Sequence, residues 1–362
     1  MTSDPTTAAA PSTDRQLRTS ILAFVDHAGI RAHGSSPVSS NGLRDGLELA
    51  DLAEELGYDA FYVHVRHLQD TLASPLTFLA AASQRTSRIE LGTAVIPLRF
   101  ENAGRLAEDI ATVDLLSGGR LRVGMGSGYN ARSDSMNMRA FGSTVPDVRL
   151  HTDRVLNDLV AFLDGEQVAV ADAHVESLDA GSPLRIEPRS PGLRERLAYG
   201  AATERSAALA GVLGLGLQLG TMQPADGSGR SFEQMQADLI TVYREAREDA
   251  GFSGRGHVSV ARLALPVESD EDLEMYDGII TKSNWRQRAH RDGTVVHEIG
   301  GNEAIYGAVH ADAPAAVAAA LTEDVAVQAA DELMLSLPMD RPADFTRRIS
   351  TTFAQKVVPL LR

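Results

Sequence analysis

Arg66 and His67 are the side chains with the most chemistry to offer in this sequence. An imidazole titrates near neutrality, so His67 suits a general base or a hydrogen-bond partner to a bound ring, and the adjoining guanidinium suits an anionic intermediate or substrate. A second kind of chemistry is carried by backbone. Gly126-Ser127-Gly128-Tyr129-Asn130 follows a β-rich run and leaves N–H groups unshielded, which fits a phosphate or the edge of a ring. Gly200-Ala201-Ala202-Thr203 passes from a strand into a helix, with Thr203 placed as N-cap and N–H groups behind it, an arrangement that attracts anions. Leu91-Gly92-Thr93-Ala94-Val95-Ile96-Pro97 puts small residues where a strand ends, leaving room for a planar ring against Thr93, Ala94 and Val95. Each feature also has an ordinary reading. A lone histidine sits in many cores, a short glycine loop is a turn, Thr203 caps a helix, and small strand residues fit a tapering barrel. His64, His27 and Asp70, near strand ends, read as lining residues.

Composition removes several alternatives. The 362 residues include no cysteine, which excludes disulfides, thiolate nucleophiles and cysteine-held metal clusters, and is compatible with a reducing cytoplasm. Lys282 and Lys356 are the only lysines, so anion binding falls to arginine and backbone N–H groups. A net charge of −15 argues against general affinity for nucleic acid. His290, His297, Glu298 and Glu303 have the right types for a metal but not a ligand spacing, so no metal site is expected. No apolar run is long enough to span a bilayer. Residues 1–16 read as a disordered leader, and 17–362, with 43% hydrophobic residues, as one domain.

The elements that must position these groups alternate regularly. Strands are expected at Ile21–Val25, Asp59–Val65, Ile89–Ile96, Arg120–Met125, Leu197–Gly200, Leu215–Leu219, His257–Pro266 and Glu332–Leu337. Helices are expected at Leu43–Leu56, Pro75–Ser83, Asn102–Leu116, Asp147–Leu163, Glu204–Val212, Ser231–Ala250, Glu271–Ile280, Pro314–Leu321 and Phe345–Leu361. Eight strands in a βα rhythm predict an α/β fold of the (β/α)8 TIM-barrel type, with active-site residues at the C-terminal ends of the strands. The segment 164–191 reads as an insertion. The polar stretch 285–301 fits no element, and its basic part, Trp285–Arg291, reads as a solvated loop or a lid over the mouth. No glycine-rich dinucleotide fingerprint is present.

The ordered series Gln84–Leu98, Ala107-Glu108-Asp109, Asp114-Leu115-Leu116-Ser117-Gly118-Gly119-Arg120-Leu121 and Gly124-Met125-Gly126-Ser127-Gly128 resembles the luciferase-like flavin-dependent monooxygenases. The resemblance is strong over residues 47–163 and weaker over 197–220 and 330–362. It implies a cis peptide at Ala94–Val95 beneath a flavin ring, cofactor contacts at Thr93, Ala94, Val95, Gly126 and Ser127, and a phosphate site at Arg149 and Gly200, Ala201, Ala202 and Thr203. Arg149 stands in the same relation to Phe141-Gly142 as a phosphate-contacting arginine of that family, and its structural alternative is an ion pair with Asp153 one helical turn on. With nothing provided for an adenylate half, FMN is favoured over FAD. The family's acidic residue followed by two histidines reads Val65-Arg66-His67 here, so the first histidine's proton-transfer role does not carry over. The resemblance implies an FMNH2/O2-dependent monooxygenase acting on a small organic substrate, fed by a separate flavin reductase and dimeric through its early helices. Two alternatives stay open: an F420-dependent hydride-transfer enzyme, and a non-catalytic flavin-barrel subunit of a heteromeric enzyme.

Overall fold

The structure is a computed structural model describing residues 16–26, 41–128, 140–141, 148–172, 178–291, 297–299, 301–339 and 341–362. His27, Tyr129, Asn130 and Gly142, and nearly all of the expected leader, lie outside the described residues.

Eight strands form the barrel: β1 (Arg18–Ala23), β2 (Ala60–Val63), β3 (Glu90–Pro97), β4 (Leu121–Gly126), β5 (Leu197–Ala201), β6 (Gly216–Leu219), β7 (Val258–Pro266) and β8 (Glu332–Ser336). Each pairs in parallel with the next, and β8 closes the ring against β1 in the register Arg18↔Glu332. Between them run α1 (Asn41–Glu55), α2 (Pro75–Ser83), α3 (Ala103–Ser117), α4 (Val148–Asp164), α5 (Glu204–Val212), α6 (Phe232–Asp249), α7 (Asp270–Arg291), α8 (Pro314–Glu323) and α9 (Ala343–Thr352). The chain is thus a closed (β/α)8 barrel. Its large apolar layer lies between sheet and helices and is built on Ile21, Phe61, Leu91, Leu121, Leu217 and Leu335. Inside the ring a smaller group, Leu22, Ala60, Tyr62, Ala261 and Met334, fills the barrel.

The helix boundaries follow local chemistry. Asn102 accepts from Arg105 N to cap α3, and Gly118 ends the helix at φ 71°, a left-handed conformation that glycine adopts at no steric cost. Asp114, wholly buried at the end of α3, takes hydrogen bonds from Arg196 Nη2 (2.7 Å), Ser190 Oγ (2.5 Å) and Leu121 N (3.2 Å). Arg120 then reaches back to Ile89 O (2.8 Å), Ser83 O (2.9 Å) and Thr86 O (3.1 Å). These bonds tie α3 to the entry of β4 at the N-terminal end of the barrel. That end is also closed by a polar plug: Glu332, wholly buried, meets His257 Nε2 at 2.7 Å and accepts from the Tyr62 hydroxyl at 3.2 Å, while Arg18 and Arg122 both grip Glu90. Burial pushes the Glu332 pKa up, but hydrogen bonding and charge from His257 outweigh it and hold the carboxyl at about 2.

Two regions depart from the sequence reading. The polar stretch from Trp285 is not a loop: α7 continues without a break to Arg291. Its second half docks on the strand Asn302–Tyr306, with Arg286 over the Tyr306 ring (4.1 Å), Gln287 Nε2 donating to Tyr306 O (3.0 Å) and His290 Nδ1 at 2.9 Å from Glu303. That strand pairs antiparallel with Met222–Pro224, just past β6, so this small sheet stands at the C-terminal end of the barrel. The closing segment is also not one helix, because a π-helical turn at Phe353–Val357 interrupts it before Val358–Leu361. The insertion forms an exposed antiparallel pair, Gln167–Val170 with Pro183–Arg185.

Candidate active site

At the C-terminal mouth, three expected site residues meet through packing. The Val95 isopropyl group lies between the backbones of β4 and β5: a Cβ added at Gly126 would stand 2.8 Å from Val95 Cγ2, and one added at Gly200 would stand 2.8 Å from Cγ1. A side chain at either glycine would therefore collide with Val95. Ala94 and Val95 are also a partly exposed break in the buried run from Leu91 to Pro97, and the peptide bond joining them is cis.

The backbone here is held by side chains. The β3–β4 ladder pairs Thr93 with Val123 and then skips to Ile96 with Met125. Across the gap, Thr93 Oγ1 donates to Gly124 O (2.8 Å), Gln218 Nε2 donates to Thr93 O (3.3 Å), and His64 Nδ1 lies 3.0 Å from Ala94 O. Thr93 is wholly buried, and its hydroxyl is engaged within the sheet. Beyond β4, Ser127 is exposed, and Gly128, at φ 67°, approaches Pro97 so closely that a Cβ would lie 2.3 Å from Pro97 Cβ. The Gly128 carbonyl accepts from the buried Arg99 (3.3 Å).

His67 closes one wall. Its ring lies 5.1 Å from Phe100 and 4.7 Å from Phe141, and the two phenylalanine rings are 5.1 Å apart, so connections leaving β2, β3 and β4 each contribute one ring. Among the described residues, His67 Nε2 is shut off from solvent and has no hydrogen-bond partner. Burial lowers the His67 pKa, so the ring is neutral at pH 7. Arg66 turns away from it: Nε donates to His64 Nε2 (3.2 Å) and Nη1 to Gln69 Oε1 (3.3 Å). The turn is set by Leu68, exposed at φ 58°, and by the pair Arg66 N to Leu72 O (3.0 Å) and Leu72 N to Val25 O (2.7 Å).

The expected phosphate residues stand at the N-terminal ends of two helices. Arg149 is exposed on the first turn of α4, and Thr203 caps α5. Asp153, one turn along α4, pairs with Arg205 of α5 (2.5 Å), and this contact joins the N-terminal ends of the two helices. Both helix termini direct partial positive charge outward. The Ala202 and Thr203 N–H groups donate to Ser206 Oγ (3.2 and 3.0 Å) in a capping box. An arriving phosphate would therefore displace Ser206 or use the first-turn N–H groups beyond it. Arg205 is the residue here that the sequence reading passed over, and His64 was read only as a lining residue. Neither carries a local motif, since the Ala94 carbonyl that His64 meets and the Asp153 carboxylate that Arg205 meets come from another strand and another helix.

Among the described residues no group of three or more His, Asp or Glu is placed to hold a metal, and no helix is long and apolar enough to cross a membrane. Fold and site together define a (β/α)8 barrel with an apolar mouth, a side-chain-held strand end and a paired helix terminus suited to an anion. Residues 19–336 match the luciferase-like monooxygenase family, and the chain belongs to it. It is 29% identical over 212 residues to a 4-hydroxyprotoasukamycin monooxygenase of Streptomyces nodosus subsp. asukaensis, covering 58% of this chain and 54% of that protein. It is 32% identical over 147 residues to an F420-dependent glucose-6-phosphate dehydrogenase of Beutenbergia cavernae, covering 38% of this chain and 42% of that protein. The chain thus matches about half the length of these relatives. In fold it resembles a monooxygenase from Streptomyces bottropensis, with TM-score 0.70 and 21% identity over 95% of this chain and 99% of the other. It also resembles the oxygenating constituent of 3,6-diketocamphane monooxygenase from Pseudomonas putida, solved in complex with FMN, with TM-score 0.66 and 17% identity over 96% and 99%.

Proposed function

We propose that the chain is an FMNH2/O2-dependent monooxygenase acting on a small organic substrate. The observation that carries the reading is the meeting of Val95, Gly126 and Gly200 beside the partly exposed Ala94, with two arginine-bearing helix ends nearby. A flavin fits these residues: Ala94, Val95, Gly126 and Ser127 would hold the ring end, and Arg149, Arg205 and the 200–203 turn the phosphate end. When bound, reduced flavin supplies the activation of O2 for transfer to the substrate. The chain's own part is to bind, orient and exclude water. His67, neutral between two phenylalanines, offers a hydrogen bond without bringing a positive charge to the mouth. A separate flavin reductase and a homodimer, soluble in the cytoplasm, complete the reading. Sedimentation at the mass of one chain would rule out the dimer. Rapid mixing of O2 with the chain carrying FMNH2 tests the activity: flavin reoxidation slower than for free FMNH2 supports it, and an identical rate refutes it.

A second reading, F420-dependent hydride transfer, is favoured by the F420-dependent glucose-6-phosphate dehydrogenases among the relatives. Reduction of F420 by the chain with a sugar phosphate or an alcohol would establish it.

A further inference from the structure

His64 makes two hydrogen bonds that between them fix its proton. Arg66 Nε lies 3.2 Å from His64 Nε2, and a guanidinium only donates, so Nε2 accepts. Nδ1 therefore carries the hydrogen and donates it to Ala94 O at 3.0 Å. The ring is steadied by Phe24, 4.6 Å away. Burial first, and the Arg66 charge second, lower the His64 pKa to about 4, in keeping with a neutral ring. Its acceptor lies in the stretch where the β3–β4 ladder skips from Thr93 to Ile96, so the Ala94 carbonyl is fixed from β2.

We propose that Arg66 and His64 are a positioning pair for the mouth: the guanidinium selects the imidazole tautomer, and the imidazole holds the Ala94 carbonyl on which the cofactor ring rests. The last clause depends on the cofactor reading above; the tautomer assignment does not. This gives Arg66 a task distinct from contact with substrate, and it makes His64 more than a lining residue. Gln218 does the corresponding work one residue earlier, through Thr93 O (3.3 Å).

Histidine-selective 15N labelling of the full chain, without cofactor, reads the tautomer directly, with His64→Gln identifying the signal. The pair predicts one neutral Nδ1–H tautomer at pH 7 and a shift toward the Nε2–H form in Arg66→Leu. An Nε2–H or protonated His64 in the wild type, or no change in Arg66→Leu, would overturn it. For the cofactor clause, His64→Leu should weaken FMN binding roughly fivefold, the scale of one hydrogen bond, while His64→Gln, whose amide also donates, should recover most of it. Unchanged FMN affinity in His64→Leu would overturn that clause. A wild-type chain binding no flavin would instead sink the cofactor reading, leaving the labelling result to judge the pair.

Discussion

Adding one methyl group at Gly126 should damage the mouth, and trimming Val95 should repair it. The new Cβ of Gly126→Ala would stand 2.8 Å from Val95 Cγ2, about 1 Å inside the normal approach of two carbons. Val95 is β-branched and has little freedom at χ1, and its other methyl already lies 2.8 Å from where a Gly200 Cβ would be. Rotation away from one strand drives it into the other. The strain should therefore appear as overpacking, about 1–3 kcal/mol. Val95→Ala removes both offending methyls and leaves its own Cβ 3.6 Å from the added one, an ordinary contact. The double variant Val95→Ala/Gly126→Ala should then be more stable than the sum of the single effects by about 1 kcal/mol or more. Flavin affinity should follow the same pattern, falling roughly tenfold in Gly126→Ala and recovering in the double variant. Denaturant unfolding at constant slope, with flavin titration by fluorescence, measures both. Additivity in stability, within about 0.5 kcal/mol, would show that Val95 does not lie between the two glycines and would refute the packing argument.

Two further predictions concern the scaffold. Burial works to raise the Glu54 pKa, but the N–H groups of Ile89, Arg88 and Ser87 and the Ser87 hydroxyl outweigh it and hold it at about 2. A depressed folded-state pKa gives stability that is present above the unfolded value of 4.5 and lost as pH falls toward 2. After discounting for solvent screening, Glu54→Gln should cost about 1–2 kcal/mol at pH 7, and the gap should close between about pH 5 and pH 2.5 in urea unfolding. Asp114→Asn sets an amide donor against Arg196 or Leu121 N and should cost about 2–4 kcal/mol, seen as a lower Tm, while the folded fraction keeps its flavin affinity because the bond cluster lies at the opposite end of the barrel.

The fold was legible because each βα unit shows its period and its stops: Gly57 at φ 79° and Gly118 at φ 71° end helices where glycine was expected to. The words that carry the family resemblance, Asp114 to Leu121 above all, turn out to be scaffold, which is why they identify the barrel without naming the chemistry. Gly126 and Gly200 read from the sequence as openings in the strand ends, and the Val95 side chain that lies against both of them was not legible there, because it comes from a strand 31 and 105 positions away. The second half of α7 was missed because Arg286, Gln287, Arg288 and His290 give it no apolar stripe; it is held by contacts with 303–306 instead. His64 was read only as a lining residue, and Arg205 was missed, for a related reason. Their meaning lies in Ala94 and Asp153, 30 and 52 positions away, and no local pattern records such a pairing.

The central claim, a flavin mononucleotide held against β3 at the mouth, is tested most directly by parallel anaerobic titrations of the purified chain with FMNH2 and with reduced F420, repeated on Gly126→Ala. The wild type should bind FMNH2 saturably, the variant should bind it more weakly, and F420 should show little affinity. Exclusive binding of F420, or FMNH2 binding that Gly126→Ala leaves untouched, would contradict that claim.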